Sequence, residues 1–126
     1  MLEIRLRADC HPTEDRDKMI RSIKRLFPDS EISGESVVSG VSRSVDEFGE
    51  LLKRQHIRDA ARAVMRRNMR GNTTAFRLNK QVAAVGKISF SEESHPLGDI
   101  EVEITSDSLE SVIDSIAPST RAEGIR

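Results

Sequence analysis

The sequence predicts an α+β fold: a two-layer sandwich with helices packed on one face of a mainly antiparallel sheet. Two clean period-two alternations mark half-buried strands near the two ends of the chain. Three stretches with apolar residues at helical spacing lie among them, and turn residues separate all of these segments. The predicted order is β-α-β-β-α-β-β-β-α. A length of 126 residues suits one domain, expected over residues 1–118, with a loose tail over 119–126.

Leu2, Ile4, Leu6 and Ala8 alternate with Glu3, Arg5, Arg7 and Asp9, which predicts the opening strand. Thr13 is the expected N-cap of a helix over 14–27. Its Met19, Ile20, Ile23, Leu26 and Phe27 share one face until Pro28 stops it. Residues 31–33 and 37–41 are two short strands around the turn at Gly34. Ser44 and Glu47 have capping-box spacing and start a helical stretch that ends at Gly71. Within it Phe48, Leu51 and Leu52 share one face, whereas Ile57, Ala60, Ala61, Val64 and Met65 share another roughly opposite. Either the helix breaks near Arg54-Gln55-His56 or its two halves pack against different surfaces; a break or kink is favoured, because a two-layer domain of this size would have to cover a straight rod on both sides.

Residues 73–78 are rich in β formers. Asn79-Lys80 is the expected tight turn, with Asn79 at positive φ, and 81–90 the second strand of a hairpin. A polar loop over 91–99 leads to the alternating strand at 100–104. Asp107 and Glu110 repeat the capping-box spacing before a short helix with Leu109, Val112, Ile113 and Ile116, ended by Pro118.

Charge is unevenly distributed. The whole chain carries a formal charge of -1, but the segment 53–87 holds ten basic residues and only Asp59 as an acid, a net +9 against -10 for the remainder. Arg54, Arg58, Arg62, Arg66 and Arg70 step by four, which on a helix makes a stripe pointing away from the apolar face. Arginine suits phosphate because its planar fork donates two hydrogen bonds and keeps its charge. Arg77, Lys80 and Lys87 extend the basic region into the hairpin, and Asn72, Thr73 and Asn79 add polar groups for sugar hydroxyls. The chain has no Trp or Tyr, and its four Phe all fall in core patterns, so phosphate and shape recognition of folded RNA is favoured over base stacking.

Other chemistries are disfavoured. His11, His56 and His95 lack metal-ligand spacing, so no metal and no cofactor is expected. Cys10 beside His11 has no orienting third group, and no glycine-rich phosphate loop is present. A single cysteine excludes an internal disulfide; the first residues contain no apolar h-region and no window is long enough to span a bilayer, so a cytoplasmic protein is expected.

The segments Leu52-Lys-Arg-Gln-His-Ile-Arg-Asp-Ala-Ala-Arg62 and Gly71-Asn-Thr-Thr-Ala-Phe-Arg-Leu-Asn-Lys-Gln-Val-Ala-Ala-Val-Gly-Lys87, with Pro12-Thr-Glu-Asp15, Phe27-Pro28, Ser94-His95 and Ile116-Ala-Pro118, resemble an archaeal family of uncharacterised proteins labelled RNA-binding. The resemblance implies a two-layer fold akin to ribosomal protein L-five and an archaeal source, and it supplies no catalytic residues. The expected function is therefore non-catalytic binding of structured RNA. Duplex DNA is an alternative ligand. A homodimer or interaction module built from opposed basic and acidic faces is an alternative role, and a small enzyme acting on a phosphorylated metabolite is a weaker one.

Overall fold

The computed structural model describes residues 1–92 and 98–119. Five strands form one antiparallel sheet in the order β2-β3-β1-β5-β4. They are β1 (Leu2–Asp9), β2 (Glu31–Ser33), β3 (Val37–Ser42), β4 (Thr73–Leu78) and β5 (Ile100–Ser106). The helices are α1 (Arg16–Leu26), α2 (Asp46–Arg54), α3 (Arg58–Arg67), α4 (Lys80–Ala84) and α5 (Leu109–Ile116). The α+β class and the strand-helix order through β3 agree with the sequence pattern.

The alternation in β1 sends Ile4, Leu6 and Ala8 to the helices, and β5 does the same with Ile100, Val102 and Ile104. Register fixes the opposite face: Arg5 lies across from Val41 and Glu103, and Arg7 across from Ser39 and Glu101. The apolar side chains of the helices meet the inner sheet face in one cluster. Through it runs a chain of rings, Phe27 on Phe48 at 5.2 Å, Phe48 on Phe76 at 5.8 Å and Phe76 against Phe90 at 5.4 Å.

The helical stretch after Ser44 is broken as its two apolar faces require. Gln55 closes α2, His56 takes φ 58, and α3 begins at Arg58. Each half then buries its own face, Phe48, Leu51 and Leu52 in α2, Ala61 and Met65 in α3.

The predicted hairpin after β4 is not formed. Asn79 sits at φ -68, not at positive φ, and its side-chain oxygen accepts from Val82 N at 3.0 Å, so it caps α4 instead of turning a strand. Gly86 at φ 77 ends the turn, and the chain returns only as far as a single bridge between Leu78 and Phe90. The long edge of β4 pairs with β5, so β4 needs no hairpin partner. Gln55 holds the returning segment: its amide donates to Ile88 O at 2.9 Å and accepts from Ile88 N at 2.7 Å.

Helix starts also shift. Asp15, not Thr13, caps α1 by accepting from Asp17 N and Lys18 N. Neither expected capping box closes: Val45 and Ser108 occupy the N-cap positions without side-chain bonds, and Glu47 pairs with Arg54 instead. The polar loop falls partly, and the tail mostly, outside the described residues.

Candidate nucleic-acid interface

The break between α2 and α3 divides the arginine ladder. Arg54 ends α2 and reaches Glu47 at 3.2 Å, while Arg58 stands half-buried in the first turn of α3. Arg62 is only 24 % exposed. It donates to Asp114 Oδ1 at 2.6 Å and to Ala117 O at 3.2 Å, which ties α3 to the end of α5. One turn on, Arg66 meets Glu110 at 3.2 Å. Glu110 and Asp114 are themselves four apart on α5, so two turns of α3 are matched by two turns of carboxylates.

Arg70 folds back, donating to Met69 O at 2.7 Å. Together with Thr73 it closes the turn into β4 by paired backbone bonds around Gly71, which takes φ 62 as the sequence predicts. Asn72 O accepts from Ser106 N at 3.0 Å, and the Thr73 hydroxyl shares a 2.9 Å bond with Thr105. Thr74, its neighbour, is buried and donates to Met65 O at 2.7 Å, locking β4 under α3. Both threonines therefore have a role in the fold.

Lys80 is turned inward. Its side chain is 9 % exposed, its ammonium meets Glu14 at 3.2 Å, and it also donates to Asp9 O. It is committed to tying α4 to the end of β1, and the surface loses that charge. Lys87 is exposed in the return after α4.

Two residues that the step-of-four pattern passes over lie near Arg77. Arg67 and Asn68 leave the last turn of α3, and Asn68 donates to Ala75 O at 2.8 Å, fastening that turn to the edge strand. Arg67 and Arg77 consequently both line a groove of about 1030 Å³ over the helix-free face of the sheet, where Arg77 also donates to Glu92 O at 3.3 Å. The groove itself is balanced, with Arg5, Arg7, Arg67 and Arg77 against Glu31, Glu92, Glu101 and Glu103. Arg7 meets Glu101 at 3.1 Å and Arg5 meets Glu3 at 3.0 Å. The lining as a whole therefore offers no general attraction to a polyanion. No aromatic is among the large exposed hydrophobics, which are Met1, Val37, Val41 and Val85 among the described residues.

The sequence pattern also passes over α1. Across Arg16–Leu26 it carries Arg16, Lys18, Arg21, Lys24 and Arg25 against Asp17 alone. The spacing was visible, but summing α1 with the acidic remainder of the chain hides it.

A family model described as RNA binding matches residues 3–106. The chain belongs to this family. A UPF0201 protein of Sulfurisphaera tokodaii is 36% identical over 99% of this chain and 92% of its own length. A UPF0200/UPF0201 protein of Archaeoglobus fulgidus is 39% identical over 95% of this chain, and the chain spans only 38% of that relative. A crystal structure of an uncharacterized UPF0201 protein superposes with a TM-score of 0.86 at 38% identity, covering 93% of this chain and 94% of the other. Among the described residues, no helix is long and apolar enough to cross a membrane and no cluster of three His, Cys, Asp or Glu could hold a metal ion.

Proposed function

We propose that the protein binds structured RNA without catalysing a reaction, gripping phosphates where α3 runs into β4. The observation that carries this reading is that Arg67 and Arg77 line one groove, with Arg70 at the turn between α3 and β4, and that none of the three has a carboxylate within ion-pair distance among the described residues. The family description supports the ligand class. Asn72 and Thr73, at the same turn, are suited to sugar hydroxyls, and Arg58 adds charge at the other end of α3. Arg62 and Arg66 add little while the carboxylates of α5 hold them. The absence of exposed aromatics favours backbone and shape over base stacking.

Fluorescence anisotropy with an RNA duplex of about 20 base pairs tests the reading: affinity falls steeply as salt rises from about 50 to 200 mM, because bound phosphates release counterions. The double substitution Arg67→Glu and Arg77→Glu weakens binding about tenfold or more and flattens the salt dependence. Wild-type protein that fails to bind the duplex at low salt removes the reading. Equal displacement by duplex DNA would make the ligand class double-stranded nucleic acid in general.

A further inference from the structure

We infer a second phosphate-contacting surface, on the outer face of α1 and the loop that follows α4, formed by Lys18, Arg21, Lys24, Arg25 and Lys87; it rests on the RNA reading above and extends it to a part of the fold remote in sequence from α3.

The helix geometry comes first. Met19, Ser22, Ile23 and Leu26 bury one side of α1. At 100° per residue Lys18, Arg25, Arg21 and Lys24 spread over an arc of about 120° on the opposite side. All four are exposed, and none has a carboxylate partner among the described residues. The helix's own acid, Asp17, falls within the same arc at its first turn, where it lies against Arg16.

The structure then adds a charge that the sequence keeps about sixty residues away. A Cβ at Gly86 would stand 3.1 Å from Arg25 Nη1, so the α4 loop lies directly on the Arg25 guanidinium. Gly86 is at φ 77, where a side chain would be strained as well as crowded. Two residues on, Ile88 is clamped at both backbone groups by the Gln55 amide, just past the end of α2. Lys87, between Gly86 and Ile88, is thereby carried beside the last turn of α1, where it is exposed.

A simpler account covers part of this. Lys24 and Arg25 in the last turn of α1 complement the negative end of the helix dipole. That account reaches neither Lys18 and Arg21, earlier in the helix, nor Lys87 in the loop after α4. Five like charges drawn together from α1 and the loop after α4, with Asp17 the one acid of α1 among them, repel one another, and a polyanion relieves that repulsion. From Lys18 to Arg25 the helix runs about 10 Å, a length of duplex axis that carries about six phosphate charges. Val85, the exposed apolar residue beside this surface, is aliphatic, and no aromatic platform accompanies it. The surface therefore fits the sugar-phosphate backbone of a duplex region, not splayed bases.

The test compares Arg21→Glu/Arg25→Glu with wild type and with Arg67→Glu/Arg77→Glu on the same RNA duplex, by anisotropy across a salt series. The α1 variant is expected to bind about tenfold or more weakly, with a salt slope lower by about two. Thermal melting checks folding, and Arg21→Gln/Arg25→Gln serves if charge reversal disturbs α1; it should lose about half as many decades of affinity. Wild-type affinity in a folded α1 variant, beside weakened binding by the α3 variant, overturns this inference and leaves the RNA reading intact. A wild-type protein that does not bind RNA overturns that reading first and this one with it. Loss in the α1 variant with no loss in the α3 variant supports the inference and moves the RNA grip from α3 to α1.

Discussion

Helices α1 and α3 are both basic, and they use the charge differently. On α3 the regularly spaced arginines meet regularly spaced carboxylates: Arg62 faces Asp114 and Arg66 faces Glu110. On α1 the basic arc meets none among the described residues. A run of arginines in sequence measures how much charge a segment owns. Which of those charges remain for a ligand depends on what the fold lays beside them, and here α5 neutralises much of the helix that looked most basic.

The largest expected effect tests whether α3's arginines hold the fold. Arg62→Glu places a carboxylate against Asp114 and leaves Ala117 O without its donor. Removing one partner of a partly buried, hydrogen-bonded pair and reversing its charge should cost about 2–3 kcal/mol in urea unfolding. Arg21→Glu, on the exposed face of α1, should stay within about 0.5 kcal/mol. Equal losses for the two would erase the distinction between a fold-committed and a surface-committed basic helix.

A smaller effect runs the other way. Glu110→Gln with Asp114→Asn leaves the hydrogen-bonding shapes largely in place but removes the charges that hold Arg62 and Arg66. Because exposed ion pairs contribute only about 0–1 kcal/mol, the protein should remain folded. RNA affinity at low salt should rise by about threefold to tenfold as two phosphate-like competitors disappear. Unchanged affinity in anisotropy titrations would mean that this part of α3 lies outside the RNA footprint.

The same contrast explains what the sequence discloses. Strands β1 and β5 were legible because a half-buried strand writes its two faces as alternating residues, and Ile4-Arg5-Leu6-Arg7 admits no other face assignment. The α2–α3 break was legible because Phe48 and Ala61 demand opposite partners. Helix α4 was not, because residues 81–90 satisfy β patterns and only the Asn79 cap, the Gly86 turn and the Gln55 clamp decide otherwise. Lys80 was misjudged for a related reason: its partner Glu14 lies 66 residues earlier, a distance no local pattern spans. The α1 arc was present in the spacing, but its relation to Lys87 is tertiary.

The smallest effect concerns what fixes α1's exit. Just past Phe27 and Pro28, Asp29 accepts from the Ser42 hydroxyl and from Arg43 N at 2.9 Å, tying the end of α1 to the end of β3. Burial alone would raise this carboxyl; the bonds from Ser42 and Arg43 outweigh it and hold Asp29 below its ordinary value of 3.8. A folded-state pKa below the unfolded one means stability that is present above the unfolded pKa and lost as pH falls through the folded one. Asp29→Asn, which keeps a carbonyl acceptor but loses the charge, should therefore lower stability by at most about 1 kcal/mol at neutral pH. That difference from wild type should shrink as the pH is taken below about 4. Hydrogen exchange gives the sharper reading: in the variant, amides in the last turn of α1 should lose protection while those of α3, held by α5, do not. Loss of protection spread equally over both helices would show that α1's basic face has no anchor of its own.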